Sequence, residues 1–224
     1  MRLPAMLDHA VDRALDLLLP PVCAGCGASG APCCPGCESL LTSPSRLPCP
    51  SRAPAYALAS YRGVPRRLVL AYKERGRRDL APALGGLLAA ALPLASGDTS
   101  NCWLVPAPSR RVAARLRGGP HMVRLARHCA SRAAELGIRV NIAPALRLAS
   151  DAEDAVGLDQ ARRAANLAGR VLPVPAALPP AGTGVVLLDD VITTGATAVA
   201  CERALASGGV PVTGVLAVTS PRLR

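Results

Sequence analysis

The sequence predicts an α/β fold: an open, mainly parallel sheet flanked by helices, preceded by a small N-terminal four-cysteine module. Three observations lead there. Val185-Val186-Leu187-Leu188 has the unbroken apolar character of a strand buried on both faces. It runs into Asp189-Asp190, a turn of small and hydroxyl residues, and a helical stretch over 198–206 that Gly208-Gly209 ends. A second strand–helix–strand unit covers 102–105, 121–136 and 138–143, and such a crossover is right-handed by default. Finally, Cys23-Ala24-Gly25-Cys26 and Cys34-Pro35-Gly36-Cys37 form two C-x-x-C knuckles.

Taken in order, residues 3–19 place Leu3, Met6, Leu7, Ala10, Val11, Ala14, Leu15 and Leu18 on one face. Asp8, Asp12 and Asp16 lie opposite, and Pro20-Pro21 stops this amphipathic helix. Its acidic polar face fits docking onto protein rather than onto a membrane surface. The two knuckles have the spacing of a structural zinc site, with Cys23, Cys26, Cys34 and Cys37 as ligands. Cys34 is preferred to Cys33 because it keeps the two-residue spacer, and Cys49 is held in reserve. A closed set of four thiolates leaves no open position for catalysis. Residues 38–54 read as a linker or loose wrap, so the chain divides into a 1–54 helix-and-zinc module and a 55–224 domain.

That domain opens with a short strand over 56–61, then helices over 64–74 and 79–92 separated by Gly76. Arg62, Arg66, Arg67, Arg75, Arg77 and Arg78 make 62–78 strongly basic, a solvated face for most of them. Lys73 stands apart as the one lysine in an arginine-rich chain, a point charge that a planar guanidinium does not replace. Pro106-Ala107-Pro108-Ser109-Arg110-Arg111 follows the first core strand, and the amides from Ser109 to Arg111 make a second anion site. Arg115 to His121 suits a mobile loop over a charged substrate, with His121 an ordinary helix-start residue. A helix over 158–168 sets Arg162 and Asn166 one turn apart. Residues 173–180 form a proline-rich approach to the central strand, and 212–219 a closing strand.

The 224 residues have room for one medium domain and an accessory module. Half are hydrophobic, yet there is no Phe, one Trp and three Tyr, so the core is Ala, Leu and Val. A net charge of +11 favours anionic partners, while the scarcity of aromatics disfavours a dedicated single-strand binder. No apolar run is read as reaching transmembrane length, and the N-terminus lacks the pattern of a signal peptide. Nine cysteines in such a chain suit a reducing cytoplasm and metal ligation.

The physics of the 189–197 stretch points to a phosphorylated sugar. Gly195 lets the backbone turn sharply, so amides from Thr194 to Thr197 can converge on one anion at the positive end of the next helix. Thr193, Thr194 and Thr197 add hydroxyls, and Ala196 keeps the turn small. Asp189 and Asp190, expected beyond the packed part of the strand, would repel that anion and instead suit sugar hydroxyls or a divalent cation. No Gly-Lys-Ser/Thr of a Walker loop occurs in the chain, and G-x-G-x-x-G is absent from this stretch.

This run, Val185 to Thr197, resembles the 5-phosphoribosyl-1-pyrophosphate (PRPP) loop of type I phosphoribosyltransferases. With the double C-x-x-C, the Lys73 segment, Val105-Pro106-Ala107-Pro108, Arg117-Gly118 and Arg162/Arg163 with Asn166-Leu167, the chain resembles the ComF-like (competence protein F) family over nearly its whole length. Two departures stand out: Gly119-Pro120-His121 replaces a Phe-Asn-Gln-like run, and Ala155-Val156 stands where relatives carry a glutamine. The resemblance implies a type I phosphoribosyltransferase-like sheet and a Mg2+-dependent transfer of phosphoribose to a nitrogen acceptor. It places Asp189 and Asp190 on the ribose hydroxyls, directly or through the metal, with Lys73 the third catalytic candidate. Thr193, Thr194, Gly195, Ala196 and Thr197 would hold the 5′-phosphate, Ser109 and Arg110 the pyrophosphate, and Arg117 would bind PRPP from the covering loop. A PRPP sensor without turnover and a DNA-handling adaptor using the basic 62–78 face are the rival expectations, and a homodimer is compatible with all three.

Overall fold

The computed structural model describes residues 20–97, 101–109, 119–149 and 170–223. The expected helices over 3–19 and 158–168 lie outside these residues, as do Arg110, Arg111, Arg117, Arg162, Arg163 and Asn166. One helical turn, α1 (Pro35–Glu38), leads to β1 (Ser45–Leu47) and β2 (Ala55–Ser60). Then come α2 (Gly63–Glu74), α3 (Ala81–Ser96), β3 (Asn101–Pro106), α4 (His121–Glu135) and β4 (Arg139–Ile142). The chain continues through β5 (Leu146–Leu148), β6 (Val171–Pro173), β7 (Val185–Val191), α5 (Ala196–Ser207) and β8 (Gly214–Ser220).

Six strands make one sheet in the order β1-β2-β8-β7-β3-β4, parallel throughout except for β1. From β3 the chain crosses by α4 to β4 on one side, then returns to lay β7 on the other side of β3. The strand order therefore reverses between β3 and β7, and open α/β sheets bind ligands outside the carboxyl ends of the strands at that switch. Apolar residues on both faces of β7 explain its central place. Val186 and Leu188 join the cluster of α2, α3 and α4, whereas Val185 and Leu187 join the cluster of α5 and the β5–β6 hairpin.

Three sequence expectations change here. Residues 38–54 are no loose wrap: β1 pairs with β2, and Glu202 of α5 accepts the backbone N–H groups of Arg52 (3.1 Å) and Ala53 (2.9 Å). The hairpin of β5 and β6 was not foreseen, because its two three-residue strands are far apart in sequence and the second borders a proline-rich stretch. Arg78–Ser96 is also long and apolar enough to cross a membrane by length and composition. Most of it is buried against α4 and the sheet. Gly85 permits the close α3–α4 approach, since a Cβ there would stand 2.6 Å from His128 Cβ.

Candidate functional site

β3 ends at Pro106, opposite Leu188, so Asp189, Asp190 and Val191 extend past it along the carboxyl edge. Asp189 and Val191 still pair with β8, through Ala217 and Thr219. Asp190 is therefore inside the strand and only 4 % exposed, which corrects the expectation that it lies beyond the packed portion. The pleat then separates the two acids. Asp190 points to the α2–α4 face, with Lys73 Nζ at 3.0 Å from Oδ1 and 2.9 Å from Oδ2, and His121 Nε2 at 2.9 Å from Oδ2. Asp189 lies on the α5 face, where its charge raises the Cys201 thiol, already pushed up by burial.

Their electrostatics diverge accordingly. Burial and the Asp190 charge push the Asp189 carboxyl up to about 7, against the opposing pull of Lys73 and the Asp190 N–H, which donates to Asp189 Oδ1 at 2.8 Å. Burial would raise Asp190 too, but the His121 hydrogen bond and the Lys73 charge prevail and hold it at about 2. Lys73 is itself raised: burial disfavours its charge, and Asp190 more than compensates. Tyr72, whose hydroxyl burial lifts to about 12 despite Arg124, donates to the His121 carbonyl at 2.6 Å. His121 is 4 % exposed and its Nδ1 has no partner among the described residues.

Among the described residues, the N–H groups of Thr193, Thr194, Gly195 and Thr197 have no hydrogen-bond partner, while Ala196 N–H faces Thr194 Oγ1 at 3.3 Å. Ser220 Oγ donates to the Ile192 carbonyl at 2.7 Å. Arg222 donates through Nε to the Thr193 carbonyl at 2.7 Å and through Nη1 to the Pro48 carbonyl. The turn is thereby held through its carbonyls. Gly195 caps α5 at φ 85° with Cys49 and Pro50 packed on its α-carbon. Ser109 is half-buried in the segment after β3, and the Ala107 N–H donates to the Leu188 carbonyl at 2.8 Å, which brings that segment beside the acids.

A second cluster lies on the far side of α2. The sulfurs of Cys23, Cys26, Cys34 and Cys37 all fall within 4.8 Å of one another, with Cys26 and Cys34 3.6 Å apart. Four thiolates about 2.3 Å from one tetrahedral zinc would be roughly 3.8 Å apart, so the cluster could hold a structural metal such as zinc. Burial raises Cys23, but N–H groups of Cys34, Cys26 and Gly25, with Cys37, bring it down to about 6. Cys37 is held high by burial and its neighbouring thiols, a proton that a cation would displace. Cys33 instead turns into the core with Leu41 and Leu68. Arg67 and Arg77, expected on a solvated basic face, hold this cluster to α2 and to the turn after it: Arg67 Nε donates to the Gly25 carbonyl at 2.6 Å and Arg77 Nη2 to that of Val22 at 2.9 Å.

No family model and no curated protein matches this chain. The site geometry joins Lys73 to Asp190, keeps Asp189 and the 193–197 turn together at one edge, and sets the four cysteines apart. Sequence reasoning undervalued His121. The available signal was positional: a helix that follows a parallel strand starts at the same carboxyl edge as the next strand's acids.

Proposed function

We propose that the chain binds PRPP with Mg2+ and transfers its phosphoribosyl group to a nitrogen acceptor, releasing pyrophosphate, as the resemblance to ComF-like type I phosphoribosyltransferases implies. One observation carries this reading: the amides of Thr193, Thr194, Gly195 and Thr197, without a hydrogen-bond partner among the described residues, lie at the switch-point edge beside Asp189. Such amides at a helix N-terminus suit a phosphate dianion, and the adjacent carboxylates suit the sugar that bears it. In this assignment the 193–197 turn, Ala196 included, holds the 5′-phosphate. Asp189 engages the ribose hydroxyls, Asp190 stands behind it as the buried partner of Lys73 and His121, and Ser109 opens the pyrophosphate segment that continues into Arg110 and Arg117. Lys73 supplies a cation at the same edge, and its side chain is 31 % exposed.

Asp189, a hard oxygen donor at a half-buried position, would hold Mg2+ alongside the ligand's own oxygens. Bound there, the ion would offset the charge that builds on the departing pyrophosphate. The carboxylates would stabilise the positive charge that develops on the sugar at C1. The acceptor nitrogen forms its bond to C1 as the C1–oxygen bond to pyrophosphate breaks. We assign the four-thiolate cluster a structural zinc, which suits a reducing cytoplasm.

Calorimetry with PRPP and Mg2+, followed by pyrophosphate-release assays over a panel of bases, tests the proposal. Binding with release supports a transferase, and binding without release supports a PRPP sensor. Absence of PRPP binding by the zinc-replete wild type would overturn both. Asp189→Asn should weaken binding on the order of tenfold, the cost of one charge-assisted contact.

A further inference from the structure

We propose that His121 is a positioning residue for Lys73. It holds the last turn of α2 through the shared Asp190 carboxylate and through its own carbonyl, so that the lysine ammonium stays at the carboxyl edge of β7. The proposal deepens the phosphoribosyltransferase reading and rests on it for the role of Lys73. Its geometric content is independent of any ligand.

Tyr72 and Lys73 are consecutive residues near the end of α2, and both are tied to His121. Tyr72 reaches the His121 carbonyl directly at 2.6 Å. Lys73 reaches the same residue through Asp190, whose Oδ2 accepts from Lys73 Nζ and His121 Nε2, each at 2.9 Å. A carboxylate only accepts, so Nε2 carries the hydrogen and donates it. Three elements meet here, because α2 supplies the lysine, β7 the acid and α4 the histidine.

The exposures of the three side chains separate their roles. His121 and Asp190 are 5 % and 6 % exposed, while Lys73 is 31 % exposed. The lysine is the member an incoming anion can reach, and the other two are its buried mount. If the Nε2 hydrogen bond were lost, the Asp190 carboxylate would keep Lys73 alone as a side-chain donor among the described residues and would be free to turn about its last torsion, taking the ammonium with it. The unpartnered Nδ1 sharpens the assignment. One ring nitrogen is used, and it is used as a donor, a task an amide N–H of the same reach performs as well.

Lys73 is the only lysine of the chain, so amine acylation reports on it directly. The full-length, zinc-replete protein without ligand is treated with limiting acetic anhydride, and the Lys73 peptide is quantified by mass spectrometry. Wild type should label slowly. His121→Ala should label on the order of tenfold faster, and His121→Gln within about twofold of wild type, because the amide restores the charge-assisted hydrogen bond. His121→Asn, whose side chain is too short to reach Asp190, should behave like His121→Ala and replaces it as the readout if the alanine variant does not fold.

Equal labelling of wild type and the shortened variant overturns the proposal. So does a glutamine variant that labels as fast as the shortened one, which would require the ring itself. PRPP calorimetry on the same proteins separates this proposal from the functional reading. If wild type does not bind PRPP, the functional reading fails while the labelling still decides the role of His121. If it binds, the shortened variant should lose about tenfold in affinity and His121→Gln should restore it.

Discussion

A Cβ added at Gly195 would stand 2.5 Å from Cys49 Sγ and 2.8 Å from Pro50 Cδ, on a backbone already at φ 85°. Gly195→Ala should therefore cost about 1–3 kcal/mol in urea unfolding. Removing the thiol in that background, by Cys49→Ala, should recover only part of the loss, because the positive φ remains. Asp189 makes a pH prediction. Its folded carboxyl, pushed to about 7, keeps a proton that the unfolded group loses near 3.8. Folding then binds a proton between those values, and stability falls as pH rises from about 4 towards 7. Thermal melts from pH 5.5 to 8, without added Mg2+, should show this slope in wild type and a flatter one in Asp189→Asn. Lys73 and the acid pair stood out in the sequence because a lone lysine and two carboxylates after an apolar run are rare patterns. His121 did not, since a histidine at a helix start carries no mark of which strand it meets.

The thiolate module binds its neighbour more firmly than its spacing indicates. Cys23, Cys33 and Cys37 lie in one cluster with Leu41, Leu58 and Leu68, and Arg67 and Arg77 bond its carbonyls. Gly25 allows the contact, since a Cβ there would stand 2.8 Å from Cys37 Sγ and 2.9 Å from Val64 Cγ1. Chelation of the metal, or Cys26→Ser, should remove zinc and expose backbone amides of residues 20–42 and the first turn of α2 to hydrogen exchange. β7 and α5 should keep their protection. Zinc content unchanged in Cys26→Ser would refute the ligand set. The knuckle spacing itself was readable, and so was the choice of Cys34 over Cys33. β1 was not, because three residues are too few to show an alternating pattern and its pairing with β2 leaves no local trace.

Helices cover both faces of the sheet, and the interfaces are close enough to constrain single residues. Gly214 begins β8 beneath the end of α3, where an added Cβ would stand 2.0 Å from the Ala95 carbonyl oxygen. Gly214→Ala should destabilise the chain by more than about 3 kcal/mol or prevent folding, which chemical denaturation would reveal. The alternation of strand and helix signals was enough to anticipate a mainly parallel sheet. The sequence did not indicate which face each helix takes. It also missed the split of Asp189 from Asp190, because both depend on how β7 is inserted between β3 and β8. That split has a consequence for how this stretch can change. Adding or deleting one residue between Val185 and Asp189 would exchange the two carboxylates between α2–α4 and α5. Length variants here should be tolerated in twos and rejected in ones.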